Sequence, residues 1–190
     1  MNHSANPLKL RLFGGFEPQS GRGPVGAPVG RKVRALLACL ALSPGLTRRR
    51  EKLMALLWSD RAEEQARASL RQALTELRHA LGEPSPLRTE QDAVSLDSEM
   101  IEVDAIAFER LAKAGKLAEA VALYRCPLLD GHGVRDDAFE DWLRGERNRL
   151  HDLAVDMLDR LAASQSGDSG IQTAQRCCSS TRRARRPIDC

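Results

Sequence analysis

Between Ala62 and Leu81 the sequence places Arg67, Arg71, Gln72, Thr75 and Arg78 along a segment whose apolar residues recur at helical spacing. Stepping about 100° per residue gathers Ala66, Leu70, Ala73, Leu74, Leu77 and Leu81 onto one side. Arg67, Arg71 and Arg78 then lie on one flank, and Arg71, Gln72 and Thr75 face outward together. Those side chains have the chemistry to read base edges. An arginine makes two parallel hydrogen bonds to guanine O6 and N7, a glutamine makes two to adenine N6 and N7, and threonine serves either. The other reading of these arginines is an ordinary solvated helix face, paired with Glu63, Glu64 or Glu76.

A second cluster shifts the balance toward nucleic acid. Residues 31–57 carry Arg31, Lys32, Arg34, Arg48, Arg49, Arg50 and Lys52 against Glu51 alone. Thr47 is a good N-cap, so a helix is expected over 48–57, opening on Arg48-Arg49-Arg50. A helix N-terminus favours an anion, and positive charge there costs roughly a few tenths of a kcal/mol without one. A phosphate backbone supplies that anion. The expected base-reading set is Arg67, Arg71, Gln72 and Thr75. The expected phosphate-contacting set is Arg31, Lys32, Arg48, Arg49, Arg50, Lys52, Arg78 and Arg88.

Other constellations carry less. No nucleophile, base and orienting third group stand in a recognisable spacing, so no catalytic residue is assigned and the chain reads as a non-enzyme. Gly21–Gly26 fits G-x-G-x-x-G, but Pro24 and Pro28 occupy the place where the helix of a dinucleotide site would run. Gly26–Lys32 lacks the Gly-Lys-Ser/Thr of a phosphate-binding loop, and no cofactor is expected. His132 with Asp130, Asp136 and Asp137 has no recognised ligand spacing; a solvated polar loop, and no metal, is the expectation. Trp58 and Trp142 lie on apolar faces and read as core rather than as base-stacking platforms.

The elements that must position these residues follow from periodicity. Leu8–Phe13 alternates apolar and basic residues, as a half-buried strand does, and Pro18 is expected to end any continuation. A helix begins near Arg31 and stops at Ser43-Pro44-Gly45. The helix over 62–81 ends at Gly82, and Leu87–Glu90 with Ala93–Leu96 reads as a hairpin. After Asp97 the pattern is helical only: 105–114, 117–125, a long amphipathic helix near 138–163, and the start of another over 171–176. Strand, three helices and hairpin is the order of a winged helix-turn-helix, so the fold class is mainly α, with small strands and a wing, followed by a helical module.

Composition agrees with a folded, helical chain. Hydrophobic residues make up 42% and aromatics 4%, so Leu and Ala dominate the core. Residues 1–100 hold 15 Lys/Arg and 11 Asp/Glu, whereas residues 101–165 hold 9 and 13. A basic first half and an acidic second half point to two modules with different partners. No apolar run approaches the roughly 20 residues of a membrane helix, and no signal peptide is visible at the N-terminus. The cysteines, 5 in number, form no Cys-x-x-Cys pair, which fits a reducing, cytoplasmic setting.

Several segments, in order, resemble the OmpR-type winged helix of SARP-like transcriptional regulators: Leu8–Phe16, Gly30–Leu37, Leu53–Trp58 and Ala68–Arg78. Ala120–Arg125, Leu128–Gly131, Phe139–Leu143 and Glu146–Leu150 resemble the bacterial transcriptional activation domain that follows it, a module similar to tetratricopeptide repeats. Two departures stand out: Cys126 occupies a position that is often Gly, and the helical module stops short. The resemblance implies a winged-helix DNA-binding domain over 1–98 and a partial TPR-like activation domain over 101–176. Residues 177–190 are expected to be a disordered or frame-shifted tail. It also implies base reading by helix 62–81, backbone contact by the hairpin near Arg88, and a tendency to activate. Double-stranded DNA is the expected partner of the first half, and RNA polymerase subunits or a second copy of the chain those of the helical module. The competing reading is a protein-interaction module, or a regulatory head split from a larger signalling protein. Salt-dependent binding of duplex DNA separates the two.

Overall fold

The computed structural model describes residues 7–19 and 30–164. The glycine pattern at 21–26, the helix expected over 171–176 and the tail 177–190 lie outside them. The fold is mainly helical, a winged helix followed by a helical module, as the periodicity indicates.

The N-terminal sheet is built around β1 (Leu8–Arg11), whose Leu8 and Leu10 are buried and whose Lys9 and Arg11 are exposed. Strand β2 (Glu17–Gln19) pairs with it antiparallel, Pro18 opposite Leu10. Pro18 therefore stands within a strand instead of ending one. It is tolerated because β2 is an edge strand, whose outer side needs no N–H donor. Helix α1 (Arg31–Ala41) is buried throughout Ala35–Ala41 and forms the centre of the core.

A second correction concerns the start of the next helix. Thr47 is not its N-cap. Thr47–Arg49 forms strand β3, and the Thr47 hydroxyl donates back to the Gly45 carbonyl at 3.0 Å. Helix α2 (Arg50–Leu57) begins after it, and its Arg50 N–H is taken by the Asp92 carbonyl at 2.9 Å. Helix α3 (Glu63–Leu81) ends at Gly82, whose φ of 72° suits glycine. Strands β4 (Leu87–Thr89) and β5 (Ala93–Leu96) form the expected hairpin, and β3 joins it to give the order β3-β5-β4.

The chain is not purely helical after Asp97. Strand β6 (Ile101–Val103) lies parallel to β1, with Leu8 opposite Ile101 and Leu10 opposite Val103. The expected break between the halves, at 98–101, thus falls immediately before a strand that completes the N-terminal sheet. Helices α4 (Asp104–Lys113), α5 (Leu117–Leu123) and α6 (Asp137–Ser164) follow. Arg149 of α6 bonds Glu109 of α4 at 2.7 Å.

The two halves share one core, and polar contacts fix their register. Asp104 accepts the N–H groups of Leu12 at 2.9 Å, Phe13 at 3.1 Å and Ala105 at 2.8 Å. Arg147 of α6 donates to the carbonyls of Leu128 and Leu129, both at 2.7 Å, and the Leu129 N–H reaches the Leu12 carbonyl at 2.7 Å. Phe13 meets Phe108 and Tyr124 edge-on, with ring centres 5.3 and 5.1 Å away.

A second contact lies at the other end. Asp136, whose side chain is 0% exposed, accepts the Ser59 hydroxyl at 2.8 Å and the Ser59 N–H at 3.2 Å, and faces Lys32 Nζ at 3.4 Å. Asp130 and Asp137 are exposed, as expected of a solvated loop, but Asp136 and Val134 are buried, so the loop is not solvated throughout.

Burial is the largest influence on Asp104 and pushes its carboxyl pKa up, against the three N–H groups that pull it down. A raised carboxyl holds its proton longer in the folded state. Its contribution to stability therefore falls as pH rises from the ordinary carboxylate value through the raised one. Asp104→Asn should lower stability by about 1–3 kcal/mol, because an amide group turned toward one of these N–H groups cannot accept its bond. Urea unfolding across pH should show that loss growing as pH falls through the carboxylate range, because the variant lacks the proton uptake that favours the folded parent there; unchanged stability would mean these bonds do not hold β1.

Candidate nucleic-acid interface

Helix α3 turns Ala66, Leu70, Ala73, Leu74, Leu77 and Leu81 into the core. The opposite face presents Arg71, Gln72 and Thr75, all exposed, as the helical wheel requires. The Thr75 hydroxyl donates to the Arg71 carbonyl at 3.1 Å, one turn back. Arg67 is exposed too, but ion-paired with Glu63 on its own helix, the arrangement of an ordinary solvated face.

The wing is tied to the helices. Arg78 reaches Thr89 Oγ1 at 3.3 Å, and Arg50 Nε reaches the Glu90 carbonyl at 3.2 Å. Arg88 bonds Asp97 at 3.1 Å on the exposed side of the hairpin. The Glu99 N–H and then Arg88 hold the Asp97 carboxyl below the ordinary range. Between the start of α2, the first half of α3 and the wing tip lies a cleft of about 710 Å³. Arg49, Arg50, Arg67 and Arg71 line it, over Met54 and Leu70, with Glu51, Glu64 and Asp92 at its sides. Lys52 is exposed on α2, and Arg31 is exposed at the start of α1.

Two of the basic residues grouped with these in the sequence point elsewhere. Lys32 Nζ donates to the Leu57 carbonyl at 2.5 Å and lies 5.7 Å from the centre of the Trp58 ring. Arg48 lies over Trp142 of α6, 5.5 Å from the ring centre. Its Nη1 is buried with no hydrogen-bond partner. The inserted strand β3 explains the turn: alternate residues of a strand face opposite sides, so Arg48 faces in while Arg49 faces out. Cys39 is buried beside Arg48, and burial pushes its thiol pKa up against the pull of that guanidinium.

The structure adds Arg61 in the turn before α3, whose Nη1 donates to Ser69 Oγ at 2.6 Å, and Gln91 at the wing tip. Neither carried a periodic signal, since both lie between elements. Trp58 is buried, as expected, and Trp142 is half-buried under Arg48. Among the described residues no group of three or more His, Cys, Asp or Glu is placed to hold a metal ion. Nor is any helix among them long and apolar enough to cross a membrane.

No family model matches the chain, and no curated protein does. A solved structure of Mycobacterium tuberculosis EmbR in complex with a low-affinity phosphopeptide is similar, with a TM-score of 0.58 and 20% identity. The match covers 83% of this chain and 46% of that one, so the chain spans about half of its neighbour's length. At this identity the likeness is one of fold, and the fold is that implied by the SARP-like resemblance.

The surroundings of His132 predict a pH dependence of folding. Its ring stacks on Phe16, with centres 5.9 Å apart, and Nε2 is buried without a partner. Burial first, then Arg34 and Arg31, lowers its pKa below 6.5. A depressed histidine favours the neutral form in the folded state. Stability is therefore retained above the unfolded value and lost as pH falls through the folded one. His132→Phe keeps a ring against Phe16 and removes the titration. Urea midpoints measured from about pH 7 to about pH 5 should fall less in this variant than in the parent chain; parallel curves would exclude His132 as the source.

Proposed function

We propose that the chain is a sequence-specific regulator of transcription that lays α3 in the major groove of duplex DNA. The observation that carries this reading is the joint exposure of Arg71, Gln72 and Thr75 on one face of α3, beside a wing bearing Arg88. Guanidinium and carboxamide groups, presented together on a groove-sized helix, have the donors and acceptors that distinguish guanine from adenine. Arg67 joins this set when it leaves Glu63. Arg49, Arg50, Lys52, Arg78, Arg88 and Arg31 serve the phosphates, whose recognition needs charge but no sequence. Lys32 and Arg48, engaged with the helical module, have a different part.

The winged-helix domain and the activation module correspond in this reading to 1–98 and 101–176, with β6 and the polar contacts joining them. The helical module presents its outer faces to RNA polymerase subunits, in keeping with an activator.

Arg71→Ala should weaken binding to a duplex selected by the parent chain by about 1–3 kcal/mol and relax preference at one base pair. An unchanged sequence preference would remove Arg71 from base reading. Arg49→Ala should weaken selected and random duplex about equally and lower the salt dependence by roughly one unit. Arg48→Ala should leave that slope where it is. A slope that falls equally in both variants would put Arg48 on phosphate after all.

A further inference from the structure

Asp136 stands immediately before α6, where a carboxylate ordinarily bonds the first N–H groups of its own helix. Its backbone carbonyl caps that helix, accepting the Phe139 and Glu140 N–H groups, both at 3.1 Å. Its carboxylate goes elsewhere. Oδ1 takes the Ser59 hydroxyl and Oδ2 takes the Ser59 N–H, across to the turn between α2 and α3. Lys32 faces Oδ2 as well, and the same ammonium holds the Leu57 carbonyl at the end of α2. The buried charge is thus compensated, and each compensating group belongs to α1 or to the turn.

Only Trp58–Ala62 separates α2 from α3. Within it, the Trp58 N–H bonds the Met54 carbonyl at 2.9 Å and the Arg61 N–H bonds the Trp58 carbonyl at 3.1 Å. Ser59 lies between these bonds, and Asp136 takes both its N–H and its hydroxyl. The position of Ser59 sets where α3 starts relative to α2, and hence where Arg71, Gln72 and Thr75 stand relative to Arg49 and Arg50.

We infer that Asp136 is a positioning residue through which the docked helical module sets the angle of α3. Specific recognition then depends on the module staying seated. Any partner that draws the start of α6 away from Ser59 loosens base reading while phosphate contact persists, because Arg49 and Arg50 are held from the wing side. This inference rests on the proposed DNA reading, but part of its test does not.

The full-length parent chain, Asp136→Asn and Ser59→Ala are compared by hydrogen exchange at residues 58–62 and by affinity for two duplexes. One duplex is selected by the parent chain from a random library, and the other is random. Asp136→Asn should speed exchange in the turn by about tenfold and weaken the selected duplex by about tenfold, with random duplex unchanged. Ser59→Ala, which keeps the Lys32–Asp136 pair, should do the same to a smaller extent and serves if Asp136→Asn does not fold. Unchanged exchange in the turn overturns the inference, as does equal loss of affinity for both duplexes. If the parent chain selects no sequence, the DNA reading fails and the exchange measurement alone decides the role of Asp136.

Discussion

Where β1 ends, the N–H groups of Leu12 and Phe13 need acceptors that sheet pairing no longer supplies. Asp104 provides both from the first turn of α4, immediately after β6 has paired with β1 on its other side. One short strand is therefore held by residues on both sides of the boundary between the halves. The loop at Leu128–Leu129 closes the arrangement, gripped by Arg147 and bonded to the Leu12 carbonyl. Remove that grip and the helical module loses its register on the sheet, and Trp142 and Asp136 lose their places against Arg48 and Ser59. A buried polar network of this kind is worth most as a constraint on geometry, since desolvation offsets much of its attraction.

The division of charge acquires a second meaning from this geometry. The basic excess of the first half is not all directed at an external anion. Lys32 turns to Asp136, and Arg48 to the face of Trp142, so part of the excess complements the acidic half of the same chain. Of what remains outward, Arg49, Arg50, Arg67 and Arg71 line one cleft between the start of α2, α3 and the wing, while Lys9, Arg11 and Arg31 are exposed outside it. Glu51, Glu64 and Asp92 at its sides limit how indiscriminate its attraction for a polyanion is, which favours contacts made at defined points.

The long periodic helices are legible in the residues, and so are the strand at Leu8 and the β4–β5 hairpin, whereas β3 and β6 are not. The wheel of Ala66–Leu81 located α3 and its outward face because six buried positions repeat over several turns. Strands of three residues, such as β3 and β6, show too little alternation to separate from a cap or a loop. The difference between β3 and the first turn of a helix decides where the arginines go: on a helix Arg48, Arg49 and Arg50 fan around one end, whereas on a strand Arg48 and Arg49 point apart. Asp136 was hidden for another reason. Its neighbours in sequence are polar, and its burial comes from Ser59 and Lys32, far away along the chain.

The wing shows how these local facts combine. Its tip supplies the Asp92 carbonyl to the first N–H of α2 and the Glu90 carbonyl to the Arg50 side chain, while Thr89 receives Arg78 from α3. The start of α2, the last turn of α3 and the hairpin are therefore bonded together, and β3 adds a strand to stiffen the base of the wing. A surface held in this way loses little freedom on meeting a rigid, repetitive partner, and preorganisation of that kind raises affinity without adding a contact. The same bonds explain why Arg50, which opens a helix without an acidic N-cap, is stable there. Its N–H and its guanidinium both end on wing carbonyls, so its charge faces outward from a fixed base instead of competing with the helix terminus for water.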